Sequence, residues 1–303
     1  MFQIECLISA DNHLGEGPIW DAQSSALYWV DGTGNRVGKP SLWRFEPKSG
    51  AAKSWSIDKE VGAMALRKNG NAILALADGF YFFDFESEEL QLIKAVDAEN
   101  PRTRLNDGKV DRYGRFFAGA MDDKEELDNC SLWRMDPDLS LHEMDSGIIC
   151  SNGPCWSPDN KMFYFADTFK GVMWSYDYDI KTGSLSGKKE FASSVEESGL
   201  YDGATVDAEG HIWSAMVIGG ELIRYAPDGM VERRIGMPVK NITSLCFGGD
   251  NLDEIYVTSM ARVNHPAEHD HFAKDVRVPF AAGSLFRITG LGISGFPEPR
   301  FMG

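Results

Sequence analysis

Apolar and polar residues alternate along most of this chain, in short runs separated by turns rich in Gly, Pro, Asp and Asn. Such alternation predicts β-strands with one side chain in two facing a core, whereas helices would place apolar residues three or four positions apart. Gly and Pro also recur too often for long helices. The pattern therefore predicts an all-β protein.

The same unit recurs about every 45 residues, with a short apolar strand, a polar turn, an aromatic strand and a third strand. EGPIWDAQSSALYWVDG from Glu16 aligns with NGPCWSPDNKMFYFADT from Asn152, and DGKVDRYGRFFAGAM from Asp107 aligns with DGATVDAEGHIWSAM from Asp202. The anchoring glycines are Gly17, Gly62, Gly108, Gly153 and Gly203, and a weaker sixth unit lies near Thr243. Six units of this length are typical of a six-bladed β-propeller.

The repeat continues without a linker, so residues 1–303 are expected to form a single propeller domain. Two β-domains divided near residue 150 remain the alternative architecture. The leading segment, residues 2–8, alternates like a strand and precedes the first unit. We expect it to pair beside the C-terminal strands in the last blade and to close the ring, which removes exposed sheet edges.

Composition narrows the classes of partner. The net charge of -16 opposes binding to a phosphate backbone, so no nucleic-acid partner is expected. No apolar run reaches the roughly 18 residues of a membrane helix, and the N-terminus lacks the features of a signal peptide. Five scattered cysteines without a C-x-x-C pair fit reduced thiols. These features predict a cytoplasmic protein without a membrane partner, either a monomer or a small homo-oligomer.

The entry to the first strand of each unit carries the candidate chemistry. In a propeller these strands line the central channel, so residues in equal register form a ring on one face. Those residues are Glu16, Val61, Asp107, Asn152 and Asp202, with Asn106 beside Asp107. Asn-Gly and Asp-Gly are common turn dipeptides, which explains any one of them without a function. Glu is not a preferred turn residue, however, and like charges crowded on one axis repel.

A divalent cation would relieve this crowding. Carboxylate and amide oxygens suit calcium, magnesium, manganese or zinc. A small number of protein ligands would leave positions open for water and substrate, which is the pattern of a catalytic metal rather than a structural one.

The chain resembles the SMP-30/gluconolactonase family, which includes regucalcin and bacterial sugar lactonases. The resemblance rests on four motifs that span nearly the whole chain: LGEGPIWD from Leu14, RLNDGKVDRYGRFFAGAM from Arg104, SNGPCWSPD from Ser151 and YDGATVDAEGHIWSA from Tyr201. It implies a six-bladed propeller with Glu16, Asn152 and Asp202 as ligands of one divalent metal. It also implies that Arg104 and Asn106 bind substrate and that Asp202 acts as the catalytic acid/base.

Two features make the family pattern harder to transfer to this chain. The resemblance implies a further acidic residue that contacts substrate, but Lys124 occupies the matching position, with Asp122, Asp123 and Glu125 nearby. Arg104 could instead form a surface ion pair with Asp107 or Asp111. The sugar preference therefore stays open.

His265, His269 and His271 lie in the longest interruption of the last unit. Their spacing is compatible with a zinc site, but an exposed loop or a lid over the pocket explains them as well.

The function that these observations favour is metal-dependent hydrolysis of a sugar lactone, an aldonolactone, to the aldonic acid. A metal would polarise the carbonyl and activate water, and Asp202 would move the proton. Two alternatives stay open: a broader esterase or organophosphate hydrolase, and a non-catalytic calcium-binding propeller. The chain has no Gly-x-Ser-x-Gly, His-Glu-x-x-His, P-loop or dinucleotide motif, so other hydrolase and nucleotide classes lack support.

Overall fold

Strands and turns account for the architecture of this chain in the computed structural model, which describes residues 1–34, 38–97, 100–261 and 282–303. Among these residues no helix is long and apolar enough to cross a membrane. The strands are β1 Gln3–Ile8, β2 Gly15–Asp21, β3 Ala26–Asp31, β4 Ser41–Glu46, β5 Ala51–Ser56, β6 Val61–Leu66, β7 Ala72–Leu76, β8 Gly79–Phe83, β9 Leu90–Ala95, β10 Thr103–Val110, β11 Phe116–Asp122, β12 Cys130–Met135, β13 Leu141–Ile148, β14 Ser151–Trp156, β15 Met162–Asp167, β16 Val172–Asp179, β17 Ser184–Ser193, β18 Leu200–Val206, β19 Ile212–Val217, β20 Glu221–Tyr225, β21 Val231–Gly236, β22 Ile242–Gly248, β23 Glu254–Ser259 and β24 Leu285–Thr289.

These strands form six four-stranded antiparallel sheets, the blades of a β-propeller. Blades 1 to 5 are β2–β5, β6–β9, β10–β13, β14–β17 and β18–β21, each in sequence order, and blade 6 has the order β22-β23-β24-β1. The six-bladed all-β fold predicted from the repeat is confirmed. The weak sixth unit near Thr243 corresponds to β22 and β23.

The last blade contains strands from both ends of the chain. Gln3 pairs with Thr289 and Glu5 with Arg287 in the antiparallel register of β1 and β24. The guanidinium of Arg287 also donates to the carboxylate of Glu5 through Nε at 2.8 Å. Residues 2–8 were expected to pair beside the C-terminal strands, and this pairing is present.

The first strand of each blade is interrupted by a β-bulge at its entry. The register of these strands shifts between Glu16 and Ile19, Val61 and Ala63, Leu105 and Gly108, Asn152 and Cys155, Tyr201 and Ala204, and Ile242 and Leu245. A bulge bends the strand and changes the direction in which local side chains point. The residues aligned by the sequence repeat therefore lie at these bulges but not at one position within them: Glu16 and Asn152 are the last paired residues before the bulge, whereas Asp107 and Asp202 lie inside it.

Glycine permits this geometry where inner strands approach one another. Gly153 has a φ of 63°, and a Cβ placed on it would lie 2.7 Å from the Cβ of Ala204 in blade 5. A Cβ on Gly203 would lie 2.8 Å from the Cα of Ser244 in blade 6. Larger residues at these two positions would push the inner strands apart, which explains the glycines that follow Asn152 and Asp202.

The core lies between the faces of neighbouring blades. Strands β7, β11, β14, β19 and β22 are buried along their whole length. Phe117 of blade 3 packs against Trp156 and Phe163 of blade 4, with ring centroids 5.2 and 5.5 Å apart. Each sheet thus buries both faces only through its neighbours.

The C-terminal segment, residues 291–303, crosses the lower face, where the inner strands end. The amide of Ala208 donates to Ser294, and that of Gly295 donates to Leu252. Farther along, Arg300 donates through Nη2 to Asp21 at 2.6 Å. Phe301 then forms a parallel bridge with Arg67. The amide of Met302 also donates to Gly114, so the segment ties together turns of five blades.

A buried ion pair joins this segment to the channel wall. Nζ of Lys109 lies 3.4 Å from Oε1 of Glu298, and the two side chains are only 19% and 12% exposed. Burial opposes the charge of Lys109, but Glu298 contributes to a net rise in its pKa. Glu298 therefore stabilises a cation that would otherwise lie nearly unpaired inside the lower channel.

We expect Glu298→Gln to lower the free energy of unfolding by about 1–3 kcal/mol, because it leaves the buried Lys109 without its nearest carboxylate. Urea unfolding measures this change. Asp250→Asn is the matched control, because its pair with Lys48 is exposed and should contribute little. Adding Lys109→Met to Glu298→Gln should recover part of the lost free energy of unfolding. If Glu298→Gln were as stable as the control variant Asp250→Asn, the stabilising role of Glu298 would be contradicted.

Candidate axial metal and substrate site

The inner-strand bulges of blades 1 and 5 bring two carboxyl groups together at the upper end of the channel. Glu16 comes from β2 and Asp202 from β18, and Asp202 is 7% exposed. The charge of Asp202 acts on the carboxyl of Glu16, which places the two groups near each other. Two acids that the repeat placed at the entries of inner strands thus lie close together.

The electrostatics of this pair are unfavourable without a cation. Burial raises the pKa of Glu16 well above its ordinary value, and the charges of Asp202 and Asp107 raise it further. Burial, followed by the charge of Asp107, likewise raises the pKa of Asp202. Like charges that cannot reach water favour protonation unless a positive ion compensates them.

Asn152 in β14 presents its side chain within the same group of inner strands. Its Nδ2 donates to Oγ1 of Thr168 at 2.8 Å, and that hydroxyl donates to the carbonyl of Tyr201 at 2.9 Å. The Thr168 bond engages the amide nitrogen, so Oδ1 faces the other way; it accepts one hydrogen bond from Asn106 and keeps a second lone pair for a ligand bond. Thr168 belongs to the connection after β15, and sequence analysis did not identify it.

Asn106 in β10 extends the group toward blade 3. Its Nδ2 donates to Oδ1 of Asn152 and to the carbonyl of Ser151, both at 3.0 Å. Its own Oδ1 accepts a hydrogen bond from Nη1 of Arg104 at 2.9 Å. Arg104, Asn106 and Asn152 therefore form one hydrogen-bonded series across two blades.

Asp107 has a supporting position beside this series. It accepts hydrogen bonds from the amides of Gly108 at 2.7 Å and Gly153 at 2.8 Å, which joins the bulges of blades 3 and 4. Despite these bonds, burial raises the pKa of Asp107. The register of the repeat had already aligned Asp107 with Glu16 and Asp202.

Arg104 has acidic partners other than those considered from sequence. Its Nε lies 3.2 Å from Oδ1 of Asp123 and 3.5 Å from Oε2 of Glu60. Asp111 pairs instead with Arg115 at 3.0 Å. The alternative that Arg104 forms a surface pair with Asp107 or Asp111 is therefore replaced by an ion pair at the channel mouth.

The end of β11 and the connection that follows it hold the acidic residues near Lys124. Asp122 accepts hydrogen bonds from Arg102, which lower its pKa to about 2. Burial raises the pKa of Glu125 to about 7, and Lys124 is exposed. Asp122 thus anchors the connection, while Asp123 is the residue that reaches Arg104.

The oxygen donors at the channel mouth fit a divalent cation. Burial and neighbouring acidic charges raise the pKa of both Glu16 and Asp202, and Asn152 adds an amide oxygen whose nitrogen is already engaged. Carboxylate and amide oxygens are ligands of hard and borderline divalent ions. A cation there would compensate the two carboxylates and remove the repulsion.

A separate acidic group, Asp207, Glu209 and His211, has ligand atoms within 4.8 Å of one another. It lies in the turn after β18, at the opposite end of that strand from Asp202. Asp207 accepts hydrogen bonds from Nε of Arg224 at 2.8 Å and from Nε1 of Trp213 at 2.9 Å. Its carboxylate is therefore already compensated by a buried guanidinium.

The histidine segment cannot be placed relative to this site, because His265, His269 and His271 lie outside the described residues.

Comparison with known proteins assigns the family. Residues 14–261 match the model of the SMP-30/Gluconolactonase/LRE-like region. The chain belongs to this SMP-30/gluconolactonase family. It is 36% identical over 304 residues to regucalcin of Danio rerio, with 99% of each chain covered.

Two solved structures of this family's fold are similar over nearly the whole chain. A luciferin-regenerating enzyme has a TM-score of 0.88 and 27% identity, with 99% of both chains covered. A protein of Agrobacterium tumefaciens described as a calcium-binding protein, regucalcin, has a TM-score of 0.87 and 26% identity, covering 99% of this chain and 97% of its own. The family resemblance inferred from the four motifs is confirmed.

We expect Glu16→Gln to raise the melting temperature of the metal-free protein by about 2 °C, because an amide stays neutral beside Asp202, whereas burial and the neighbouring charges disfavour the ionised form of Glu16. The same change should reduce the rise in melting temperature caused by calcium, zinc or manganese. Thermal unfolding in a chelator and in each metal measures both effects. Exposed Glu86 provides the control Glu86→Gln; a full metal response in Glu16→Gln would contradict a ligand role.

We expect Thr168→Val to lower metal affinity about tenfold or more, because it removes the hydroxyl that orients the amide of Asn152. Titration calorimetry on the metal-free protein measures the affinity. Ser175→Ala removes another hydroxyl of the same blade, whose bond to the Lys189 carbonyl is 3.5 Å long, and serves as the control. Unchanged affinity in Thr168→Val would show that Thr168 does not orient a ligand.

Proposed function

We propose that this protein hydrolyses a sugar lactone, an aldonolactone, to the open aldonic acid with the help of one divalent cation. The observation that carries the proposal is the apposition of Glu16 and Asp202 beside an oriented Asn152, with Arg104 and Asn106 next to them. Membership of a family whose description includes gluconolactonase supports the same substrate class.

Glu16, Asn152 and Asp202 would hold the cation. Bound there, it supplies Lewis acidity toward a carbonyl oxygen and increases the acidity of water. Asp202 has the chemistry of an acid/base group, because its buried carboxylate can accept a proton from attacking water and return it to the ring oxygen. Its raised pKa reflects the same burial that makes it a stronger base.

Arg104 and Asn106 have the donors needed to orient a polyhydroxylated ring. The guanidinium presents N–H groups in a rigid fork, and the amide can donate and accept. Because Nη1 of Arg104 donates to Oδ1 of Asn106, each side chain restricts the other. We therefore assign both to substrate binding rather than to proton transfer.

A non-catalytic calcium-binding role is the second candidate. It is favoured by the similar protein of Agrobacterium tumefaciens, which is described as calcium-binding. Both candidates use the same oxygen donors, so metal binding alone does not distinguish them. Hydrolysis of aryl or phosphate esters would indicate the broader hydrolase instead.

We expect the protein reloaded with a single divalent metal to hydrolyse aldonolactones faster than aryl esters. In Asp202→Asn, kcat should fall about 10²–10⁴-fold, because the amide keeps an oxygen ligand but cannot accept the proton. A pH-stat assay measures turnover, and calorimetry measures metal binding.

The control is Asp58→Asn, which alters a carboxylate that is 80% exposed and paired with Lys39. Asp202→Asn with wild-type kcat would exclude the proposed proton-transfer role. Absence of lactone hydrolysis by the wild-type protein with every metal would exclude the lactonase proposal and favour the calcium-binding one.

A further inference from the structure

The guanidinium of Arg104 is enclosed by carboxylates from two blades. Glu60 ends the connection from blade 1 and directly precedes β6 of blade 2, and Asp123 follows β11 of blade 3. Both contact Nε, at 3.5 and 3.2 Å. Arg104 is 11% exposed, whereas Glu60 and Asp123 are 46% and 44% exposed. The carboxylates therefore reach the mouth of the site and screen the cation behind them.

The charge at this mouth is more negative than the presence of an arginine suggests. One guanidinium faces two carboxylates, and Glu125 lies close enough to interact with Arg104 and Asp123. Nearby cations have partners of their own: Lys59 pairs with Asp78, and Arg102 pairs with Asp122 and Glu126. Lys124 is exposed on the same connection.

Hydroxyl groups and anionic groups would interact with this mouth in opposite ways. A carboxylate is an acceptor only, so a sugar hydroxyl can donate to it while also accepting from Arg104. A phosphate or second carboxylate on the sugar would meet like charges at short range and would find the guanidinium already paired. The arrangement thus suits a ligand with many hydroxyls and no charge.

We propose that Glu60 and Asp123 are specificity-determining residues that favour a neutral polyhydroxylated lactone and exclude its phosphorylated counterpart. This inference rests on the proposed lactonase function. Glu60 belongs to a different blade from Arg104, so the selection depends on the packing of blade 2 against blade 3. Neither carboxylate is needed for the proton-transfer step assigned to Asp202.

A purely structural role makes a different prediction. If Glu60 and Asp123 only held Arg104 in place, their amide variants would lose activity on neutral and phosphorylated lactones to the same extent. Selection by charge instead changes the ratio of kcat/KM between the two substrates. The ratio therefore separates selection from positioning.

The experiment compares glucono-1,5-lactone with its 6-phosphate in the metal-loaded wild-type protein, in Glu60→Gln, in Asp123→Asn and in the double variant. We expect the wild-type protein to prefer the neutral lactone by about a hundredfold or more in kcat/KM. The preference should narrow about threefold to tenfold in each single variant and by more in the double variant. Unchanged preference in the double variant, or no preference in the wild-type protein, would overturn the inference.

Glu126→Gln is the matched control. It removes a negative charge from the same connection, but Glu126 is 59% exposed and pairs with Arg102 rather than Arg104. Its kcat/KM ratio should equal that of the wild-type protein. An equal narrowing in Glu126→Gln would mean that overall charge, rather than these two residues, decides the preference.

A binding measurement separates this inference from the proposed function. Titration calorimetry with 1,5-anhydroglucitol, a ring without a lactone carbonyl, and with its 6-phosphate needs no turnover. If the wild-type protein hydrolyses no lactone but the double variant gains affinity for the phosphorylated ring, the lactonase proposal fails and the selection stands. If lactones are hydrolysed but the ratio of kcat/KM between the neutral and phosphorylated lactones is the same in the wild-type protein and the double variant, the selection fails and the lactonase proposal stands.

Discussion

Convergence of six inner strands on one axis is the constraint on which the rest of this structure depends. Every blade buries its faces against two neighbours, so no inner strand can move outward without exposing a core. The strands meet this constraint through a bulge at each entry and through glycines such as Gly153 and Gly203, where a Cβ would meet the next blade. Fold stability and side-chain direction are therefore decided at the same positions.

The same convergence creates the electrostatic character of the channel mouth. Acidic residues at the inner-strand entries of different blades come close together once the ring forms, and burial limits their compensation by water. The raised pKa values of Glu16 and Asp202 are the direct result. At the lower end the buried charge is positive, because Lys109 lies there, and Glu298 of the C-terminal segment pairs with it. The buried charges at the two ends of the channel are thus compensated in different ways: by proposed cation binding at the upper end and by an ion pair at the lower end.

The relatives show how much chemistry one propeller can accommodate. Proteins similar to this chain are described as a luciferin-regenerating enzyme and as a calcium-binding regucalcin. A common fold does not determine a common substrate, because function depends on the side chains of the site rather than on the architecture that carries them. In this chain the connections contribute Glu60 and Asp123 beside Arg104. These contacts make the local charge at the mouth a property of this sequence rather than of the fold.

Much of the architecture follows from the chain itself, because a repeat of about 45 residues sets strand order and puts Glu16, Asn152 and Asp202 at the entries of inner strands. The bulges were not apparent in the sequence, since they arise when neighbouring inner strands pack. Thr168, which orients Asn152, and Glu60, which contacts Arg104, come from connections outside the aligned positions. Glu298 lies 189 residues from Lys109, the difference between their positions in the chain. Local pattern thus determined the strands and their register, whereas contacts between blades decided which distant side chains surround the axis, because those contacts exist only after the ring has closed.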